Sequence, residues 1–235
     1  MSQPSLQKHL QKAGYDLIDG PIRNHKTLQI WMKQSFDPAE HYYESILHAF
    51  KSRVKLKLEK DAGLIVDENL KSDYSFNIGL TLIKELLQSM GLPPVDLENY
   101  FQSGKKLSIS YKNAISEAVP MGNLVEFLQK ADFVHPNPIL LRAANRNNLL
   151  IITGVLTAEQ LIVDLESDTK ISNKEIMALT KAANNKIEVS LAKNKKTRMI
   201  AGQGRFPIAV KAARMDFDKG QFSNISLLTD GRDLF

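Results

Sequence analysis

The sequence predicts an α+β fold: a twisted, mixed but mainly antiparallel sheet with helices inserted between its strands. Three observations carry this. Strand-like runs recur at 105–111, 148–156, 160–166, 186–192, 197–201, 206–217 and 221–228, several of them joined by turns as short as Thr157-Ala158-Glu159 and Asp218-Lys219-Gly220. Helical patterns at 121–130 and 138–145 sit between strands in a mixed order, which disfavours a parallel doubly wound sheet. Finally, two regions, 74–91 and 161–191, satisfy the periods of both a helix and a strand, so each could convert into a membrane-spanning β-hairpin.

Taken in order, the chain opens with an amphipathic helix over Ser5–Ala13, with Leu6 and Leu10 on one side, Lys8 and Lys12 on the other and Gly14 as its stop. A strand over Thr27–Gln34 carries Trp31, the one tryptophan. Asp37-Pro38-Ala39-Glu40 predicts a helix start, with Asp37 as the cap, Pro38 in the first turn and Glu40 reaching back. Arg53, Lys55 and Lys57 alternate with Val54, Leu56 and Leu58, a strand with a basic comb on one face or a solvated edge strand. Gly91-Leu92-Pro93-Pro94 is a break. In 105–111, Leu107, Ile109 and Tyr111 alternate with Ser108 and Ser110, a strand that could pair with 74–82. Ser172-Asn173-Lys174-Glu175 is a capping box opening a helix to Ala183. No internal repeat or linker composition divides the chain, so one domain over 1–235 is expected.

The dual-period segments point furthest toward function. As a helix, 74–91 places Phe76, Leu80, Ile83, Leu87 and Met90 on one stripe. As a strand, it places Tyr74, Phe76, Ile78, Leu80 and Leu82 on one face and Ser75, Asn77, Gly79 and Thr81 on the other. Large apolar residues alternating with small polar ones over about ten positions are the pattern of a strand that faces lipid on one side and a wet lumen on the other. Ordinary core helices also produce such overlaps. The second region repeats it: Leu161, Val163, Leu165, Ile171, Met177, Leu179, Ile187, Val189 and Leu191 hold odd positions, and Asp164, Glu166, Asp168, Lys170 and Glu188 even ones.

Composition narrows the function classes. With 235 residues, 43% hydrophobic and 24% charged, the chain can bury a proper core. Its longest apolar runs, such as Leu149-Leu150-Ile151-Ile152, are far below the roughly 20 residues of a transmembrane helix, and Met1-Ser2-Gln3-Pro4 begins no signal core, so a cytoplasmic soluble monomer is expected. The absence of cysteine excludes disulfides, thiolate catalysis, cysteine zinc sites and S-acylation. The net charge of +5 is unevenly spread: residues 1–60 carry ten Lys/Arg against six acids and 181–235 eleven against five, while the middle is acidic, with ten against fifteen. Basic ends suit nucleic acid and an anionic membrane leaflet alike.

Catalytic motifs are missing. The five histidines, His9, His25, His41, His48 and His135, lack metal-ligand spacing; Glu44 and His48 would share a helix face without completing H-E-x-x-H. There is no G-x-S-x-G, Walker A or G-x-G-x-x-G pattern, since Gly202-Gln203-Gly204 lacks the third glycine. Asp164 and Glu166 share a strand face, where solvated carboxylates are the default. Neither an enzyme nor a cofactor or metal site is expected. A basic nucleic-acid-binding α+β domain remains as an alternative, carried by Lys193, Lys195, Lys196, Arg198 and Arg205 but with only Phe206 beside them as a stacking aromatic.

In its element order the chain resembles the gasdermin pore-forming domain, in particular its compact bacterial and fungal members. Leu10-Gln11-Lys12-Ala13-Gly14-Tyr15, Ser75-Phe76-Asn77-Ile78-Gly79-Leu80, Leu107-Ser108-Ile109-Ser110-Tyr111 with the Val119–Leu128 helix, the Leu149–Val163 hairpin and the closing strands through Phe222 carry the resemblance. It implies a cell-death effector, in immune defence or allorecognition, that binds acidic phospholipid, assembles many copies and inserts β-hairpins from about 52–112 and 160–201 into a large barrel pore in the cell membrane. Hetero-assembly with a variant of the same family is a further implied partner, and nucleic acid is not. Tyr74, Phe76, Ile78, Leu80, Leu82, Leu107, Ile109, Leu161, Val163, Leu165, Ile187, Val189 and Leu191 are then the expected membrane-inserting residues. Lys8, Lys12, Arg53, Lys55, Lys57, Lys195, Lys196 and Arg198 are the expected headgroup contacts. The ending at Phe235 resembles either fungal regulator-of-cell-death proteins, which lack the inhibitory tail usual in bacterial members, or a bacterial member from which that tail has been removed, and no separate inhibitory domain is expected within 1–235.

Overall fold

The computed structural model describes residues 10–11, 13–17, 25–34, 39–61, 74–77, 104–135, 137–167, 187–192, 196–201 and 205–228, with Lys174, Met177 and Lys181. Fifteen strands and two helices appear among them, in the order β1 (Asp16–Leu17), β2 (Ile30–Met32), β3 (Glu40–Tyr43), a 3-10 turn (Ile46–His48), β4 (Phe50–Ser52), β5 (Glu59–Asp61), β6 (Tyr74–Asn77), β7 (Gly104–Lys112), β8 (Ile115–Ala118), α1 (Met121–Gln129), β9 (Ala131–Phe133), α2 (Pro138–Asn145), β10 (Leu149–Ala158), β11 (Gln160–Ser167), β12 (Ile187–Ala192), β13 (Lys196–Ala201), β14 (Phe206–Asp218) and β15 (Gln221–Leu228). The mixed α+β order agrees with the sequence expectation.

β10 is the spine of an eight-stranded sheet. Its run of apolar residues is buried on both faces, as a central strand requires. Leu149 and Ile151 point into one cluster with Ile30, Leu124, Phe127, Leu140 and Met215, while the alternate residues Leu150 and Ile152 join Trp31, Val155 and Val210 in the other. β14 flanks β10 on one side along most of its length; on the other side β2 pairs with Leu149–Ile151 and β8 with Gly154–Thr157. The change of partner coincides with a register shift between Ile152 and Gly154. A side chain at Gly154 would sit 3.1 Å from the Ala118 Cβ, so glycine permits the close approach of β8. An aromatic group closes one end of the larger cluster: Phe217 lies 5.6 Å from Phe50, 5.9 Å from Phe133 and 6.0 Å from Phe222, centroid to centroid.

α2 begins where Asn137 accepts the Leu140 N–H at 2.7 Å and Pro138 holds the first turn. The β14–β15 turn uses left-handed Lys219 and Gly220, and Gly220 N–H donates to Asn145 Oδ1 at 2.9 Å. Tyr15 is fully buried and hydrogen-bonds Ser116, tying β1 to β8, and Lys211 Nζ lies 4.5 Å from its ring centroid. Burial pushes the Lys211 ammonium below the usual lysine range.

Several expectations need correction. Glu40–Tyr43 is a strand rather than the first turn of a helix: it pairs with β2 while His41 packs on Trp31 at 5.1 Å, so sheet pairing overrides the local capping signal. Glu44 and His48 accordingly share no helix face. The strand at 27–34 contracts to Ile30–Met32, because Leu28 is left-handed at φ 73° and kinks the chain before it. Arg53–Leu58 forms no ladder: it is the link between β4 and β5. At the N-terminus, Leu10 and Gln11 are helical and Gly14 is left-handed at φ 75°, as the stop signal requires; Ser5–His9 and Lys12 lie outside the described residues. Lys174, Met177 and Lys181 are helical, as the capping box predicts, and exposed. Short strands β1, β8 and β9 carry too few residues to show a period and were not expected.

Candidate functional site

The second sheet has five strands in the order β12-β13-β11-β7-β6, all neighbours antiparallel. Its register aligns the alternation of every strand. Cα partners run across it as Tyr74, Tyr111, Leu161, Ala201 and Ile187; then Phe76, Ile109, Val163, Met199 and Val189; then Leu107, Leu165, Thr197 and Leu191. Residues directly opposite in an antiparallel ladder share a face, so these rows form one continuous, largely apolar face. The intervening rows make the other face: Ser75, Ser110, Ile162, Ile200 and Glu188 in one, where Ile162 is buried, Asn77, Ser108, Asp164, Arg198 and Ser190 in the next, and Lys106, Glu166 and Lys196 in a third. There Arg198 holds Asp164 through two bonds of 2.7 and 2.9 Å, and Glu188 and Ser190 are exposed.

Ten of the thirteen residues expected to insert thus come together on one face of one sheet; Ile78, Leu80 and Leu82 lie outside the described residues. The pairing of 74–77 with 108–111 is present in this structure as a strand pair. Region 160–201 supplies three strands rather than a single hairpin, with β13 between β11 and β12. Lengths differ along the sheet: β7 has nine residues and β11 eight, close to the roughly 9 to 11 of a membrane-spanning strand, whereas β12 and β13 have six and β6 four. Among the described residues no helix is long and apolar enough to cross a membrane.

The expected headgroup residues are dispersed. Arg53, Lys55 and Lys57 are exposed and Val54 and Leu56 pack on the core, so the period-2 alternation holds over 53–57 without a ladder and ends at Leu58, which is exposed. Asn123 of α1 takes the place of a neighbouring strand: it accepts from Lys57 N–H at 2.9 Å and donates to the Lys55 carbonyl at 3.1 Å. Arg198 is engaged with Asp164, Lys196 is opposite Glu166 in register, and Lys8, Lys12 and Lys195 lie outside the described residues. The sequence overlooks a groove of about 190 Å³ where Arg142 in the last turn of α2 and Arg146, the residue that caps its C-terminus, flank Ile139 and Met32. Ile139 is 61% exposed, and neither guanidinium has an acidic partner among the described residues. A cation pair beside an exposed aliphatic side chain was legible only as the spacing i, i+4 in a helix that already had a core stripe. Among the described residues no group of three or more His, Asp and Glu could hold a metal. His25 stacks on Trp31 at 5.1 Å instead.

In fold, the chain is similar to a solved bacterial gasdermin from Bradyrhizobium tropiciagri, with a TM-score of 0.62 over 94% of this chain and 90% of that one, at 14% sequence identity. No curated protein matches it. The family model described as the Bacterial Gasdermin Family matches residues 18–221, from just after β1 to the first residue of β15, and the chain belongs to that family.

Proposed function

We propose that this protein is a pore-forming cell-death effector whose five-stranded sheet supplies the β-hairpins of a transmembrane barrel, assembled from many copies on an acidic lipid surface. Membership of the gasdermin family supports the pore-forming role. The observation that carries the finer reading is the register of the second sheet, in which five strands bring most of their apolar residues into common rows while the opposite rows are mainly polar, with Ile162 and Ile200 as the apolar pair among them. An open sheet cannot sit in lipid with unpaired edges, so insertion demands that copies close a ring together. The short strands must lengthen to span, and 74–91 and 168–186 adjoin them with patterns compatible with either period. Arg53, Lys55 and Lys57 on one side, and Arg142 and Arg146 on another, supply attraction to phosphate headgroups, each worth on the order of 1 kcal/mol near an anionic leaflet. A variant of the same family could co-assemble through the same strand edges.

Purified protein, after whatever cleavage or partner addition activates it, should release dye from vesicles containing anionic lipid and spare neutral ones. Reversing Arg53, Lys55 and Lys57 together should abolish sedimentation with those vesicles at moderate salt without unfolding the monomer. Absence of leakage across lipid compositions and triggers, combined with tight binding of RNA or DNA, would hand the function to the nucleic-acid alternative.

A further inference from the structure

Three crossings of the chain between the two sheets meet at one ion pair. β7 passes into β8 through Asn113-Ala114, β10 passes into β11 through Glu159 alone, and Arg205 leads from the β13 side into β14. Arg205 Nη2 donates to Glu159 Oε1 at 2.8 Å, and Nη1 donates to the Asn113 carbonyl at 3.0 Å. Asn113 Nδ2 completes the triangle by donating to Glu159 Oε2 at 2.7 Å, and the Glu159 amide donates to the Lys112 carbonyl at 3.1 Å. Each crossing therefore contributes one member. Asn113 is left-handed at φ 53°, a conformation asparagine tolerates better than most residues.

The cluster marks the place where one ladder ends and the other begins. Thr157 opposite Ile115 and Ala158 opposite Phe206 belong to the eight-stranded sheet, while Gln160 opposite Lys112 and Leu161 opposite Ala201 belong to the five-stranded one. Only Glu159 separates them on the β10–β11 path. An isolated surface ion pair contributes little to global stability. This one joins residues 46 and 92 positions apart and fixes three connections at once, so its effect concentrates on how the second sheet is held against the first.

We propose that Asn113, Glu159 and Arg205 form a clamp that fixes the direction of the five-stranded sheet relative to the body, and that it opens when that sheet moves toward the membrane. Glu159 and Arg205 are positioning residues that set the rate of opening, and this role in the pore rests on the function proposed above. Both side chains are partly exposed, at 42% and 36%, so the clamp can open without unfolding the core.

The test compares wild type with Arg205→Ala and Glu159→Gln in the full chain. Hydrogen exchange on the soluble monomer, without lipid, should show the Glu159 and Gln160 amides exchanging about two- to fivefold faster in Arg205→Ala, the range a partly exposed ion pair supports, with the β10–β14 ladder unchanged. Unchanged exchange at those amides would overturn the clamp whatever the protein does to membranes. On anionic vesicles the same variants should release dye faster by a similar factor at an unaltered melting temperature. Because the chain has no cysteine, Glu159→Cys with Arg205→Cys can be bridged by a short bis-maleimide. The bridged protein should bind vesicles without leakage, while protein capped with a monofunctional maleimide should leak. Equal leakage by bridged and capped protein would overturn the proposal, whereas failure of wild type itself to leak would strike the pore reading and leave the exchange result to decide the clamp.

Discussion

The two sheets dispose of apolar residues by different rules. In the eight-stranded body, β10 and β14 send neighbouring residues into clusters on opposite faces, so both faces are core. In the five-stranded sheet one set of rows is largely apolar and the other carries Asp164, Arg198, Ser190 and Glu188, with Ile162 and Ile200 as its apolar pair. A strand buried on both faces has no second environment in which its burial is preserved; moving it exposes one face or the other. A strand that is apolar on one face only loses nothing if lipid replaces protein against that face while water stays on the other. The difference teaches where conversion is thermodynamically open in this molecule: the second sheet and the segments adjoining it.

The sharpest way to break that comparison is a pair of neighbouring substitutions on β12. Val189 lies in the row of Phe76, Ile109, Val163 and Met199, and Ser190 in that of Asp164 and Arg198. A lysine facing lipid near the midplane costs about 2 to 4 kcal/mol, repeated in every copy of the ring. Val189→Lys should bind anionic vesicles and fail to leak, while Ser190→Lys keeps most of the leakage. If the two behave alike in dye release, the faces are not lipid and lumen, and the contrast between the sheets loses its functional meaning.

A second substitution probes the body. Phe217 is buried among Phe50, Phe133 and Phe222, and Phe217→Ala should cost about 3 to 5 kcal/mol, lowering the melting temperature on the order of 10 °C. Arg198→Ala, in the polar rows of the other sheet, should cost about 1 kcal/mol or less, because its partner Asp164 remains in contact with water. Comparable losses of melting temperature in the two variants would mean that the sheets are not held together by different means.

Much of this was legible in the sequence where one period dominates. Helices at 121–130 and 138–145, strands at 206–217 and 221–228 and the turn between them coincide with the structure to within a few residues, because long stripes and a Gly turn leave little competition. The odd-numbered face of 161–165 and 187–191 was also legible, since the register only had to preserve an alternation already present. What failed is what depends on distant partners. Glu40–Tyr43 follows a good capping signal yet becomes a strand because β2 offers an edge. The Asn113, Glu159 and Arg205 clamp has no local signature, as its members meet only once the sheets are formed. Arg53–Leu58 lies between these cases, with its alternation correct as far as Lys57, Leu58 exposed instead of packed, and its ladder replaced by one side chain.

That replacement yields the smallest expected effect. Asn123 makes two bonds to the exposed backbone around Lys55 and Lys57, and water can take over both, so Asn123→Ala should cost about 1 kcal/mol or less and move the melting temperature by only about 2 °C. Its consequence is local. Arg53, Lys55 and Lys57 are trypsin sites whose cleavage requires the segment to leave the surface, and loss of about 1 kcal/mol of local holding raises that opening roughly fivefold. Limited trypsinolysis of Asn123→Ala should therefore cut between β4 and β5 several times faster than wild type at an unchanged rate elsewhere. Asn123→Asp keeps the acceptor for the Lys57 N–H but loses the donor to the Lys55 carbonyl, and should fall between the two. Identical cutting rates in all three proteins would mean that Val54 and Leu56, packed on the core, hold the basic comb by themselves. The segment would then belong with the body rather than with the convertible strands.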